Sequence, residues 1–515
     1  MRIGTNVAAI VANNALQKSQ NNLSTSIERL SSGYKINGSK DDAAGCAISE
    51  KMRAQIRGLS QAQNNTADGV SVLNTAEGAI TEIQSMLTRL KELSVQAAND
   101  VNSDDEREAI QKEIEQINNE IDRISEQTEF NTQSLINGNL SRRVYSDLQG
   151  VNQLSVSDSY TAGVYGITVT EDARQAIAVG AGSITMSSTA SITEEQAGAI
   201  NINGYKISIS EGDTLDKVMG KIIDGVNITG GSAFTVKDLN NDTVANGTDY
   251  AGYVPTADYA GSTLVIMTNQ YGSDQKMNIT CDNAELADIL GIPQAATQDG
   301  IYVEGSDVKA EIATGDDGKR IGFADSAILS TKGTVITVTD VNNKEFSMDV
   351  PGNAAGTVFD DSNNDGQSAA GAGTARTISQ EVTDVGTMSI HVGANQDQVI
   401  VIDIPAITTY SLGTEHMNVM TQYTASRAIS TVDEAINKTN KIRSRIGAYE
   451  NRFDHTTNNL EVSSENLTKS LSTMIDTDMS EEMTTYTSET VLTQAATSIL
   501  AQANERPSQV LQLLQ

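Results

Sequence analysis

The chain has no tryptophan, and aromatic residues make up only 4% of it. A substrate pocket walled by rings is therefore a poor expectation. Burial has to come from small aliphatic side chains, which suits helical bundles and thin β modules. Cysteine is nearly missing too. Cys46 and Cys281 lie far apart in segments of different character, so two free thiols are expected rather than a disulfide. The three histidines, His391, His416 and His455, lack the H-E-x-x-H spacing that sets two imidazoles on one helical face for zinc. There is no G-x-S-x-G elbow, no phosphate loop and no Cys-x-x-Cys pair. These gaps exclude the common enzyme signatures; no catalytic residue, metal or cofactor is expected.

Other absences narrow the class further. Basic residues number 35 against 67 acidic ones, giving a net charge of −32. Such a chain cannot displace counterions from nucleic acid, so no nucleic-acid partner is expected. The acidity reads as a soluble, self-repelling surface. No apolar run nears the roughly 20 residues needed to span a bilayer, so no membrane partner is expected. The N-terminal MRIGTNVAAIVANNALQ has one basic residue and no long apolar block, and does not read as a secretory signal.

What is present is unevenly spread. At 515 residues the chain is too long for one core. The first 140 residues hold no proline and eight glycines, and the last hundred hold Gly447 and Pro507 alone of these two types. The remaining glycines, four of the five prolines and most Thr/Ser/Asn/Asp turns lie between. This is a helix–β–helix layout, an α+β class with helical termini and a β-rich middle.

The helical ends carry heptads. Leu16, Leu23 and Leu30 are spaced by seven, with Ile27 in the same stripe. Leu73, Ile80 and Leu87 repeat likewise, interleaved with Ile83 and Leu90. The clearest helix-seam run is Ile110, Ile114, Ile117, Ile121 and Ile124, spaced 4-3-4-3. Toward the other end stand Ile429, Val432 and Ile436, then Leu460, Leu467, Leu471 and Met474, then Leu492 and Ile499. An apolar residue every 3.5 positions makes a narrow seam that must meet another helix. Each Leu or Ile moved from water into such a seam contributes roughly 1.5–3 kcal/mol before entropy is counted. The natural partner for one terminal seam is the other.

The middle alternates apolar and polar residues. TVITVTDVNNKEFSMD (334–349) predicts a hairpin around an Asn-Asn turn, and AININGYKISI (199–209) a second one. EGDTLDKVMGKIIDG predicts a helix capped by Asp213 or Thr214, and STLVIMT a strand over 262–268. The run DDSNNDGQSAAGAGTAR (360–376) predicts an exposed loop. Its Asp361–Gly366 stretch mimics the start of a calcium loop, but Ala372 stands where the twelfth-position acid is required. It is read as a turn.

The end segments resemble bacterial flagellin. IERLSSGYKINGSKDDAAGCA (27–47), ISEKMRAQIRGL, QAQNNTADGVSVLNTAEGAITEI and LTRLKELSVQAAND carry the resemblance at one end. RIGAYENRFDHTTNNL and VLTQAATSILAQANERPSQVLQLLQ carry it at the other. The resemblance implies an inner coiled-coil domain from 1–41 with 471–515 and an α-rich second layer from 42–141 with 386–470. It implies a variable outer region over 142–385, with an insertion module at 197–280. MSIHVGANQDQVIVIDI (388–404) resembles a β segment of the second layer.

The resemblance further implies a homopolymeric flagellar filament subunit for swimming, secreted unfolded through the flagellar type III route. Its partners would be an export chaperone and the filament cap and hook-junction proteins. Arg89, Leu93 and Glu113 match a patch bound by Toll-like receptor 5 in flagellins. Val510, Leu511, Leu513 and Leu514 match the C-terminal segment used in assembly and chaperone binding, and read by inflammasome sensors of the NAIP group. Cys46 interrupts a family segment and is read as a small buried residue. Two other readings stay open at this point: a flagellar junction protein, or a surface adhesin or glycan-binding protein using the middle domains.

Overall fold

The computed structural model describes residues 6–157, 160–180, 182–236, 259, 261–292, 300–315, 318–340, 344–352, 359–360, 369–370, 375–383 and 385–513, with no side chains for 236, 359–360, 369–370 and 506–513. It divides into two units. One comprises Met1–Val70, Ile390–Ile400 and Asn451–Gln515, the other Ser71–Ser389 and Val401–Glu450. The calcium-like stretch 361–366 and the 341–343 turn lie outside the described residues.

In the first unit, α1 (Val7–Ser32) pairs with α8 (Met479–Leu513). The Asn6 side chain caps α1 by accepting from the Ala9 N–H, and Gly33 ends it at φ 74°, where a side chain would be strained. The pair is antiparallel. Asn6 donates to the Ala503 carbonyl at 2.8 Å, Asn22 to Glu489 at 2.9 Å, and Ser26 to Glu482. Beyond the helix end, Tyr34 bridges Asp476. The first part of α2 (Ala43–Ala97) and the last part of α7 (Gln422–Ile475) also belong to this unit. They meet through Leu59, Ala62 and Leu460, with Ala394 and Leu467 packed alongside. A Cβ at Gly69 would stand 3.1 Å from the Phe453 ring, so glycine lets the ring close on the helix.

In the second unit the rest of α2 buries Leu73, Ala76, Ile80, Ile83, Leu87 and Leu90, an unbroken 3-4 alternation. Its partner face on α7 is Ala425, Ala428, Val432, Ala435, Thr439, Ile442, Ile446 and Tyr449, again in 3-4 steps. Glu77 takes both Nε and Nη2 of Arg443 at 2.9 and 2.6 Å, and Lys91 pairs with Asp433 at 2.5 Å. These pairs fix the two helices antiparallel. A Ser103/Glu106 capping box starts α3 (Asp104–Gln127). From α3, buried Arg107 donates to the Ala97 and Asn99 carbonyls at the end of α2. Gln111, Asn118 and Asp122 on α3 bind the backbone at 417–419, 414 and 409. One helix face thus holds the chain leading into α7.

Between these helices the chain builds β structure. Two four-stranded sheets share one core. One has the order β13 (Lys309–Ile312), β5 (Gly163–Glu171), β19 (Arg376–Val382), β3 (Val144–Ser146). The other has β14 (Ile328–Lys332), β15 (Val335–Thr339), β16 (Glu345–Asp349), β4 (Asn152–Val156). The expected hairpin is β15–β16, in register from Val335↔Asp349 to Thr339↔Glu345. Tyr160, Tyr165, Phe323 and Phe346 pack mostly edge to face, with centroids 5.1–6.1 Å apart.

A second β core is inserted between β5 and β13. Its sheets run β6 (Ile177–Val179), β10 (Thr263–Thr268), β9 (Gly231–Val236) and β12 (Ile301–Glu304), β11 (Lys276–Cys281), β7 (Gly198–Ile202), β8 (Tyr205–Ile209). Asn203 (φ 51°) and Gly204 (φ 89°) form the tight turn of β7–β8. Thr214 caps α4 (Leu215–Ile228), while buried Asp213 binds Lys217 and Lys221. Those hydrogen bonds, with one from the Ser210 N–H, hold the Asp213 carboxyl well below the usual range. The core cluster around β7 and β8 also takes in Ala176, Ile184 and Ile192 before them, and Leu286, Leu290 and Val303 after.

Candidate assembly surface

A helix pair of 26 and 35 residues ought to bury a continuous seam, yet α1 and α8 bury little. Ala12, Ser26 and Ala503 are the buried positions among their described side chains. Leu16, Leu23 and Leu30 are half-buried. Outside the contact stand Val7, Ile10, Val11 and Ile27 on α1, and Met483, Val491, Leu492 and Ile499 on α8. Val491 is 63% exposed and Ile499 57%. Soluble chains seldom leave apolar side chains of this size exposed together; such patches mark interaction surfaces. Full burial of each would contribute roughly 1.5–3 kcal/mol, and half-exposed residues about half as much. The pair thus retains substantial unspent apolar surface.

The seam residues on α3 sit differently. Ile110, Ile114 and Ile121 are buried in the second unit, whereas Ile117 and Ile124 are half-buried. Asn118 and Ser125 fill the buried stripe beside them. On α7, Val432 is buried while Ile429 and Ile436 are half-buried.

The Arg89 guanidinium is exposed and donates to Glu113 at 2.8 and 3.0 Å and to Glu92 at 3.2 Å. It forms a surface ion pair between α2 and α3. Leu93, by contrast, is 1% exposed and packs inward, so the structure brings Arg89 and Glu113 together but keeps Leu93 off the surface. Val510, Leu511 and Leu513 lie in α8 without described side chains, and Leu514 lies outside the described residues.

Both cysteines are free; Cys46 is half-buried, and burial pushes the buried Cys281 thiol up. Among the described residues no group of His, Cys, Asp or Glu could hold a metal ion, and no helix is long and apolar enough to cross a membrane.

Long terminal helices in 3-4 register, an unfinished helix pair and β domains inserted between them define a helical structural protein. The bacterial flagellin N-terminal helical region matches residues 3–141, and its C-terminal helical region matches 429–514. The flagellin of Salmonella typhimurium is 32% identical over 99% of both chains. Polar flagellin A of Vibrio parahaemolyticus is 30% identical over 100% of this chain and 99% of its own. The chain belongs to the bacterial flagellin family. By that membership it is a structural protein of the flagellar filament and not an enzyme.

Among solved structures, FliC from Burkholderia pseudomallei is similar at 15% identity and a TM-score of 0.22, covering 75% of this chain and 99% of its own. A flagellar hook-associated protein from Legionella pneumophila reaches 13% identity and a TM-score of 0.28, over 82% and 98%. At such scores these likenesses carry no weight in the assignment.

Proposed function

We propose that this chain polymerises into the swimming filament through the outer faces of α1 and α8. The open apolar surface of that pair is the observation that supports the reading. Identical copies would cover one another's Val7, Val11, Val491 and Ile499 by heterologous contacts that repeat without closing. A pair with so little buried surface cannot offset its ordering entropy alone, so α1 and α8 would order fully on assembly. Type III export of the unfolded chain suits this economy of internal stabilisation. Two free thiols suit it as well, since a crosslinked chain could not thread a narrow channel. The chaperone would hold the same C-terminal segment, including Val510, Leu511, Leu513 and Leu514, before assembly. Cap and junction proteins would meet the same terminal helices, and NAIP-group sensors would read the last turn.

The test is electron microscopy of purified full-length protein after seeding, beside a variant lacking the last forty residues. Filaments from the full chain and none from the truncation support the reading. Filaments from both would remove α8 from it.

The exposed Arg89–Glu113 pair supports recognition by Toll-like receptor 5, with Leu93 acting from inside as the packing that sets the helix face. Arg89→Ala should lower signalling in receptor-reporter cells without unfolding the monomer. Undiminished signalling would sink this assignment.

A further inference from the structure

Within the second unit, a cleft of about 400 Å³ opens between the inserted β core and the segment leading into α7. Its size falls within the range of small-molecule pockets, roughly 300–1,000 Å³. In a chain of net charge −32, none of the described residues lining it is Asp or Glu. Amides dominate instead: Asn203, Asn227, Asn269, Gln270, Gln275 and Asn418. Three basic side chains, Arg427, Lys276 and His416, also line the cleft, and Tyr423 adds a ring.

Arg427 is the informative member. Its Nη1 donates to Oε1 of buried Gln275 at 3.1 Å, and Gln275 Nε2 donates on to Gln270 Oε1 at 3.1 Å. A neutral amide relay therefore holds the guanidinium, and among the described residues no carboxylate forms an ion pair with it. The other two basic side chains differ. Lys276 already pairs with Glu304 at 2.7 Å, and His416 has Glu415 at 3.9 Å. Arg427 is oriented yet unneutralised, with planar N–H groups left for a forked acceptor. Asn227 stands exposed among the lining residues, and its amide, one acceptor and two donors, meets no partner among the described residues.

We propose that this cleft binds a sugar acid, with the carboxylate on Arg427 and the ring hydroxyls on Asn227 and Asn269. Amide side chains donate and accept at once, as vicinal hydroxyls require, and the acid-free wall spares the carboxylate any repulsion. Asn203 and Asn418 already bind neighbouring backbone groups, and Gln275 and Gln270 hold Arg427, so the hydroxyls fall to Asn227 and Asn269. A bare inorganic anion would use Arg427 but leave those two amides unused. This inference does not depend on polymerisation.

The test is calorimetric titration of the full-length chain with D-glucuronate, beside D-glucose and sodium sulfate. Glucuronate should bind saturably, with glucose and sulfate each weaker by about tenfold or more. Arg427→Gln should weaken glucuronate by about tenfold or more and leave glucose unchanged. Asn227→Asp places a carboxylate at an exposed position and should weaken glucuronate with the circular dichroism spectrum unaltered. Equal binding of glucuronate and glucose would overturn the proposal. So would sulfate binding as tightly as glucuronate, which would mean an adventitious ion only. Parent-like affinity in both variants would overturn it too.

Discussion

The α2–α7 pairing and the α1–α8 pairing use the same helical period for opposite ends. Between α2 and α7 the seam closes within the chain. Leu73, Ile80, Leu87 and Leu90 on one helix and Val432, Ile442, Ile446 and Tyr449 on the other are all buried. Carboxylate–guanidinium and carboxylate–ammonium pairs then lock the register. Between α1 and α8 only the small residues Ala12, Ser26 and Ala503 are buried among the described side chains; Leu16, Leu23 and Leu30 are half-buried, and Val7, Val11, Val491 and Ile499 face outward. A finished seam makes a stable scaffold. An unfinished one leaves apolar surface that, in the proposed assembly, identical copies would cover.

Truncating the same residue type at three sites sharpens this contrast. Ile114→Ala removes a fully buried side chain and should cost about 2–5 kcal/mol, the range for large-to-small core changes. Ile117→Ala, half-buried on the same helix, should cost less, about 1 kcal/mol. Ile499→Ala, 57% exposed on α8, should leave monomer stability within about 0.5 kcal/mol. Urea unfolding of the monomer followed by circular dichroism reads all three. Equal losses at Ile114 and Ile499 would erase the distinction between closed and open seams.

Much of the helical architecture was legible because heptads of Leu and Ile report a seam directly, as in α2. On α7 the same reasoning chose Ile429, Val432 and Ile436, but of these the structure buries only Val432 fully. The buried stripe runs through Ala425, Ala428, Ala435 and Thr439, small residues that let helices approach closely and that a search for large apolar side chains passes over. On α3, Asn118 and Ser125 were hidden for a related reason: each is buried because it donates to a backbone carbonyl, at Thr414 and Ile136.

The local hairpins and α4 were legible from alternation, turn residues and caps. The sheet order was not, since β5 pairs with β19 more than 200 residues on, across the whole inserted core. Nothing local encodes such a pairing. The candidate surface was half legible: the apolar heptads marked the terminal helices, but which members face outward follows from the small residues at the α1–α8 contact.

Amide hydrogen exchange on the full-length chain, as monomer and as filament, tests the account most directly. In the monomer, α1 and α8 should exchange fast while Leu73–Leu90 and Val432–Tyr449 stay protected; on polymerisation α1 and α8 should become protected and the others change little. Protection of α1 and α8 in the monomer equal to that of α2 and α7, unchanged on assembly, would contradict it.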